Sequence, residues 1–120
     1  AMSHSLGGLL DLPHGECNAI LLPYVIDYNF AAAPDRFRNI AEAMGLPPEG
    51  SDPENWKKVL LHAIRDLQKS VGINRRLGEL GVSKSDIPNL ARNAVRDACM
   101  ATNPRIAIQE EIEVVYEEAL

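Results

Sequence analysis

Apolar residues along this chain recur at steps of three and four, the spacing that lines one face of a helix. Cys17, Ile20, Leu21, Tyr24, Val25 and Tyr28 follow that spacing and predict a helix from His14 to about Ala33. Pro13 stands just ahead of its first turn, where a missing N–H costs nothing, and Pro23 falls inside it. Its apolar stripe is wide, which marks a central and largely buried element, and Pro23 is expected to bend it. A strand over Ala19–Ile26 is the rival reading, but the length and the flanking pattern favour the helix.

A second helix is predicted from about Pro34 to Met44, with Phe37, Ile40, Ala41 and Met44 on its inner face and Gly45 as its stop. After the loop "GLPPEGSDP", Asp52 and Pro53 supply an N-cap and a first-turn proline. The helix they open carries Trp56, Val59, Leu60, Ala63, Ile64, Leu67 and Val71 inward and ends at Gly72. "NRRLGELGVS" reads as a turn-rich connection. Ser83 and Ser85 then offer caps for a helix with Leu90, Ala91, Ala94, Val95, Ala98 and Cys99 inward, closed by Thr102, Asn103 and Pro104. The last helix, about Ile106 to Leu120, turns Ile108, Ile112, Val115, Tyr116 and Ala119 inward and five glutamates outward, a solvated acidic face. No run alternates as a strand does, and no internal repeat occurs. The fold class expected is all-α, a bundle of about five helices in a single domain over residues 1–120.

Composition narrows the partners. With 120 residues, 46% of them apolar, the chain can enclose a core of its own. A net charge of -5, with basic residues scattered rather than clustered, argues against nucleic acid. The longest apolar run, Ala19–Ile26, is far short of the roughly 20 residues a membrane helix needs. No basic segment leads into an apolar one, so no secretory leader is read. Cys17 and Cys99 are too far apart for a metal-finger or disulfide framework and read as reduced thiols of a cytoplasmic protein.

Chemistry concentrates in "SHSLGGLLDLPHGECNAILLP", which holds His4, Asp11, His14 and Cys17. Ten residues separate the two histidines, a spacing that fits neither a metalloprotease pair nor a zinc finger. On spacing alone, the simpler reading has His14 capping a helix start and His4 in a mobile tail. His62 sits one step off an apolar stripe, as a boundary or surface residue. Gly7-Gly8 is too short to cradle a phosphate, and the chain has no Walker or dinucleotide fingerprint and no G-x-S-x-G elbow. Cys17 has no base near it in sequence except His14 and reads as a buried thiol.

Taken as blocks, "AMSHSLGGLLDLPHGECNAILLPYVIDYN" and "LARNAVRDACMATNPRIAIQEEIEVVYEEAL" resemble the signature region and the end of the iron-containing (group III) alcohol dehydrogenases. The likeness runs over essentially all 120 residues. It implies part of the helical domain of iron-containing alcohol dehydrogenase and dehydroquinate synthase-like proteins, in which an α/β nucleotide-binding domain comes first and Fe(II), or zinc, sits between the two. The metal there is held by one aspartate and three histidines. His14 of "LPHG" matches the last of those histidines. His4 matches a histidine that is not a ligand but lies beside the substrate and the nicotinamide, so the resemblance makes it the catalytic and cofactor-contacting residue.

The ligand one helical turn before His4 would fall just ahead of Ala1, and the aspartate and first histidine lie further upstream. The resemblance thus implies a chain that opens in the middle of an active site, keeps one of four ligands and lacks the NAD(P) domain. In the complete enzyme a divalent metal polarises an alcohol or aldehyde oxygen while nicotinamide exchanges hydride with the carbon. One protein ligand cannot hold such a metal, so no dehydrogenase activity is expected of the chain alone. Tyr24 stands where the family often has a histidine that is not a ligand. Apolar faces left uncovered by missing helices predict a homo-oligomer. The other functional class open to the sequence is a free-standing helical module for interaction or oligomerisation.

Overall fold

The computed structural model describes residues 1–46, 50 and 52–120. Among them the secondary structure is helical throughout: α1 (Met2–Leu10), α2 (His14–Phe30), α3 (Pro34–Ala43), α4 (Pro53–Ser70), α5 (Ile87–Val95) and α6 (Gln109–Ala119). Two short 3-10 turns, Leu77–Leu80 and Ala98–Thr102, join the later helices. The all-α expectation holds, and α2 to α6 are the five helices the periodicity predicts.

The sixth helix is α1, and it corrects the reading of the first residues as a tail. Met2, Ser3, Ser5 and Leu6 are buried against α2, α5 and α6. The Ser5 hydroxyl donates to Leu90 O at 2.9 Å and the Tyr116 hydroxyl to Met2 O at 2.8 Å, both inside the core. Two serines on the inner face weaken its apolar signal, which is why the pattern hides it.

α2 is central, as its broad stripe predicts, and borders two cores. Its first half, with Cys17, Ile20 and Leu21, joins Leu6, Leu77, Leu90 and Tyr116 in the larger one. Its second half, with Ile26 and Phe30, meets Ala41, Trp56, Leu60, Leu61 and Ile64 of α3 and α4 in the smaller. Pro23 is accommodated within one continuous helix. The Ala19 carbonyl, whose donor would have been residue 23, accepts instead from Gln68 Nε2 at 2.6 Å.

Several boundaries differ from expectation. The helix after Ser83 ends at Val95, because Asp97 adopts an extended conformation and caps a separate 3-10 turn through Cys99 N. Cys99 is consequently exposed rather than inward. The N-cap of α5 is Asp86, and Ser83 donates to the Asp86 carboxylate through both its backbone N–H and its hydroxyl. α6 starts at Gln109, leaving Ile106 and Ile108 exposed, and α2 ends at Phe30. Ile40, Met44, Leu67 and Val71 also lie exposed at the ends of amphipathic stripes. Asp52 caps α4 as predicted, accepting from Glu54 N at 3.1 Å. In the loop "GLPPEGSDP", residues 47–49 and 51 lie outside the described residues. No helix among them is long and apolar enough to cross a membrane.

Candidate functional site

The ten-residue gap between His4 and His14 becomes a contact through one turn. Asp11 closes α1 in the left-handed region, at φ 54°, with its N–H on Gly7 O at 3.0 Å. Aspartate tolerates that conformation better than bulky residues do. Leu12 and the extended Pro13 then start α2 at His14, which carries the chain back beside α1. The rings of His4 and His14 stack with centroids 5.1 Å apart and planes 15° from parallel.

A third element fixes His4. With Met2, Ser3, Ser5 and Leu6 turned into the core, His4 points off the other side of α1, and its Nδ1 lies 2.8 Å from Asp97 Oδ2. Asp97 also accepts from Cys99 N through Oδ1, at 2.8 Å. The Cys99 backbone donor first, and His4 second, hold the Asp97 carboxyl well below the usual carboxylate range. Ionised, Asp97 can only accept, so Nδ1 carries the proton and Nε2 of His4 remains available for other partners. On the neighbouring ring, Asn18 Nδ2 lies 3.0 Å from His14 Nε2, an arrangement in which that nitrogen presents a lone pair.

Cys17 is fully buried, and desolvation followed by the nearby Glu16 charge pushes its thiol up, which suits an unreactive core thiol. His62 is exposed and pairs with Asp66 at 3.1 Å, away from the other histidines. Helical periodicity does not mark Asp97 or Cys99 as site residues; the one sequence signal is the D-x-C step inside "RDACMATNPR", which the fold returns to the His4 end of the bundle.

Among the described residues one group of three potential metal ligands converges: His4, Asp97 and Cys99, whose ligand atoms lie within 4.8 Å of one another. His14 is outside it. A four-ligand centre of one aspartate and three histidines is therefore not assembled among the described residues. Beside the site runs a groove of about 410 Å³ between α1, α2 and α6, lined by Met2, Leu22, Val25, Met100 and Val115 among others.

Comparisons with known proteins agree with the resemblance read from the sequence. The whole chain, residues 1–120, matches the family described as "Fe-containing alcohol dehydrogenase family, C-terminal". It is 41% identical over 119 residues to a 1,3-propanediol dehydrogenase of Citrobacter freundii, covering 99% of this chain and 31% of the relative. To a lactaldehyde reductase of Escherichia coli it is 42% identical over 118 residues, covering 98% and 31%. The crystal structure of a 1,3-propanediol oxidoreductase superposes with a TM-score of 0.94 at 39% identity, over 99% of this chain and 31% of that one. The chain thus spans about a third of the length of the relatives it matches.

Proposed function

Because the chain belongs to the iron-containing alcohol dehydrogenase family, we propose that it forms the helical side of the active-site cleft in an NAD(P)-dependent alcohol and aldehyde oxidoreductase. The observation that carries this reading is the stacked His4–His14 pair, backed by Asp97, in a chain that matches the family from end to end. In this reading residues 1–120 are one helical domain, an upstream nucleotide-binding domain supplies the NAD(P) site, and Fe(II) or zinc is the metal of the complete enzyme.

Each residue then has a defined task. His14 offers a ring nitrogen to the metal, and the other ligands come from outside these residues. Stacking against His4 restricts how the His14 ring can turn. His4 is the catalytic residue beside substrate and nicotinamide: Asp97 holds its Nδ1 proton, which leaves Nε2 to pass a proton to or from the substrate oxygen. Asp97 is a positioning residue that fixes the orientation of the His4 ring through the Nδ1 hydrogen bond. Alone, the chain is without dehydrogenase activity. The reading includes a cytoplasmic location, which the two unpaired thiols suit.

We infer further that the isolated chain self-associates. The groove beside Leu22, which is 43% exposed, and the nearly bare Ile106 offer apolar surface for a second copy. Sedimentation should show a concentration-dependent dimer or larger species; a monomer across the accessible range contradicts it. The enzymatic reading is tested by a chimera in which this chain replaces the matching 31% of the Citrobacter freundii relative. NAD-linked oxidation of 1,3-propanediol by the chimera, and none by the chain alone, is the expected result. A folded, nucleotide-binding chimera without activity overturns it.

A further inference from the structure

Cys99 has no task in the dehydrogenase reading, yet it stands in the one converging trio of ligand side chains among the described residues. We propose that His4, Asp97 and Cys99 form a binding site for a zinc-class divalent cation, a site that does not use His14.

The donor set is the first argument. One imidazole nitrogen, one carboxylate oxygen and one thiolate sulfur make a borderline-soft group that suits zinc far better than magnesium or calcium. Bond lengths of 2.0–2.3 Å in a tetrahedral site require ligand atoms about 3.3–3.8 Å apart. These lie within 4.8 Å of one another before any ion arrives. His4 is half exposed and Cys99 is exposed, so side-chain rotation can close the remaining gap without moving the core.

Preorganisation is the second. The extended backbone at Asp97 starts the Ala98–Thr102 turn, and the D-x-C spacing sets carboxylate and thiol on the same side of it. The Cys99 N–H holds Oδ1 at 2.8 Å, the kind of outer hydrogen bond that orients a ligating carboxylate, and leaves Oδ2 toward His4. α1 is pinned through Ser5 and Met2, which fixes the third ligand relative to the turn.

The balance of charge and protons is simple. The Cys99 S–H bond breaks, its proton passes to solvent and a sulfur–metal bond forms, so thiolate and carboxylate together neutralise the dication. The Asp97–His4 hydrogen bond gives way to a bond from each to the metal, and His4 stays neutral with its proton on the other nitrogen. Water fills the fourth position. A cation held this way ties up His4, which makes the site inhibitory toward any proton transfer that residue performs.

The test is a Co²⁺ titration of the chain, followed by displacement with Zn²⁺. The wild type should take up one equivalent and develop near-ultraviolet thiolate-to-cobalt absorption that Zn²⁺ abolishes. Cys99→Ser should lose that absorption and bind Zn²⁺ about 100-fold more weakly or worse, and His4→Ala should lose at least about tenfold. His14→Ala should keep the absorption and bind within about tenfold of wild type. Circular dichroism confirms that the Cys99→Ser chain is folded, as its exposure predicts. No thiolate absorption in the wild type, absorption that survives Cys99→Ser, or absorption that depends on His14 would overturn the proposal. None of these readouts requires dehydrogenase activity, so this site stands or falls separately from the function proposed above.

Discussion

Gln68 on α4 donates its side-chain amide to the carbonyl of Ala19 on α2 at 2.6 Å, and that carbonyl is the one Pro23 leaves without a helical donor. A proline in a half-buried helix creates an orphan acceptor, and a neighbouring helix supplies the donor. The contact also ties the helix that carries His14 to the second core.

This coupling is testable by a double-mutant cycle. Gln68→Ala should cost about 1–2 kcal/mol in the natural background, because a partly buried acceptor goes unpaired. In a Pro23→Ala background residue 23 regains its N–H, and the same change should cost under about 0.5 kcal/mol. Chemical denaturation of the four chains reads the difference; equal costs in both backgrounds would remove the coupling.

Asp11 sets the return of α2 beside α1, so its conformation governs the histidine pair. Asp11→Val places a β-branched residue at φ 54° and should destabilise the chain by about 1–2 kcal/mol, whereas Asp11→Gly should be close to neutral. Histidine ring NMR shifts should move at both His4 and His14 in the valine variant. Unchanged shifts would mean that the turn does not control the stacking.

Asp97 links stability to acid. Its folded-state pKa lies below its unfolded value near 3.9, owing first to the Cys99 N–H and then to His4. The stabilisation is therefore present above about pH 4 and lost as pH falls toward the folded pKa. Wild type should lose stability more steeply than Asp97→Asn below pH 4 in thermal melts at a series of pH values. Parallel acid limbs would refute the assignment.

Tyr28 acts at the opposite end of the scale. Desolvation, then its hydrogen bond to Glu111 at 2.5 Å, push its hydroxyl up to about 12, against the opposing charge of Arg105, which lies 4.0 Å over the ring. A raised pKa on an acid stabilises the fold below the unfolded value near 10 and loses that contribution as pH climbs through about 12. Tyr28→Phe should flatten the alkaline loss of stability between those values. An unchanged alkaline limb would show that Tyr28 titrates alike in both states.

What the sequence discloses follows from where the physics is local. Helices α2 to α6 are legible because their apolar stripes repeat over several turns, and the Asp52-Pro53 start of α4 carries its own signature. α1 is not, since buried Ser3 and Ser5 interrupt the apolar pattern of its inner face, and the Ser5 hydroxyl finds its acceptor only at Leu90, 85 residues away. Cys99 is misassigned for a related reason: helical spacing continues past Val95 on paper, and only the extended Asp97 interrupts it. The His4–Asp97 contact spans 93 residues of sequence, beyond the reach of any periodicity.

The proposed division of labour between the two stacked histidines is tested most directly by measuring iron content and turnover together in the active chimera. His14→Ala should lose both iron and activity, whereas His4→Ala should keep its iron and lose most of its turnover. Full iron and full activity in His14→Ala, or iron lost with His4→Ala and retained with His14→Ala, would contradict the assignment.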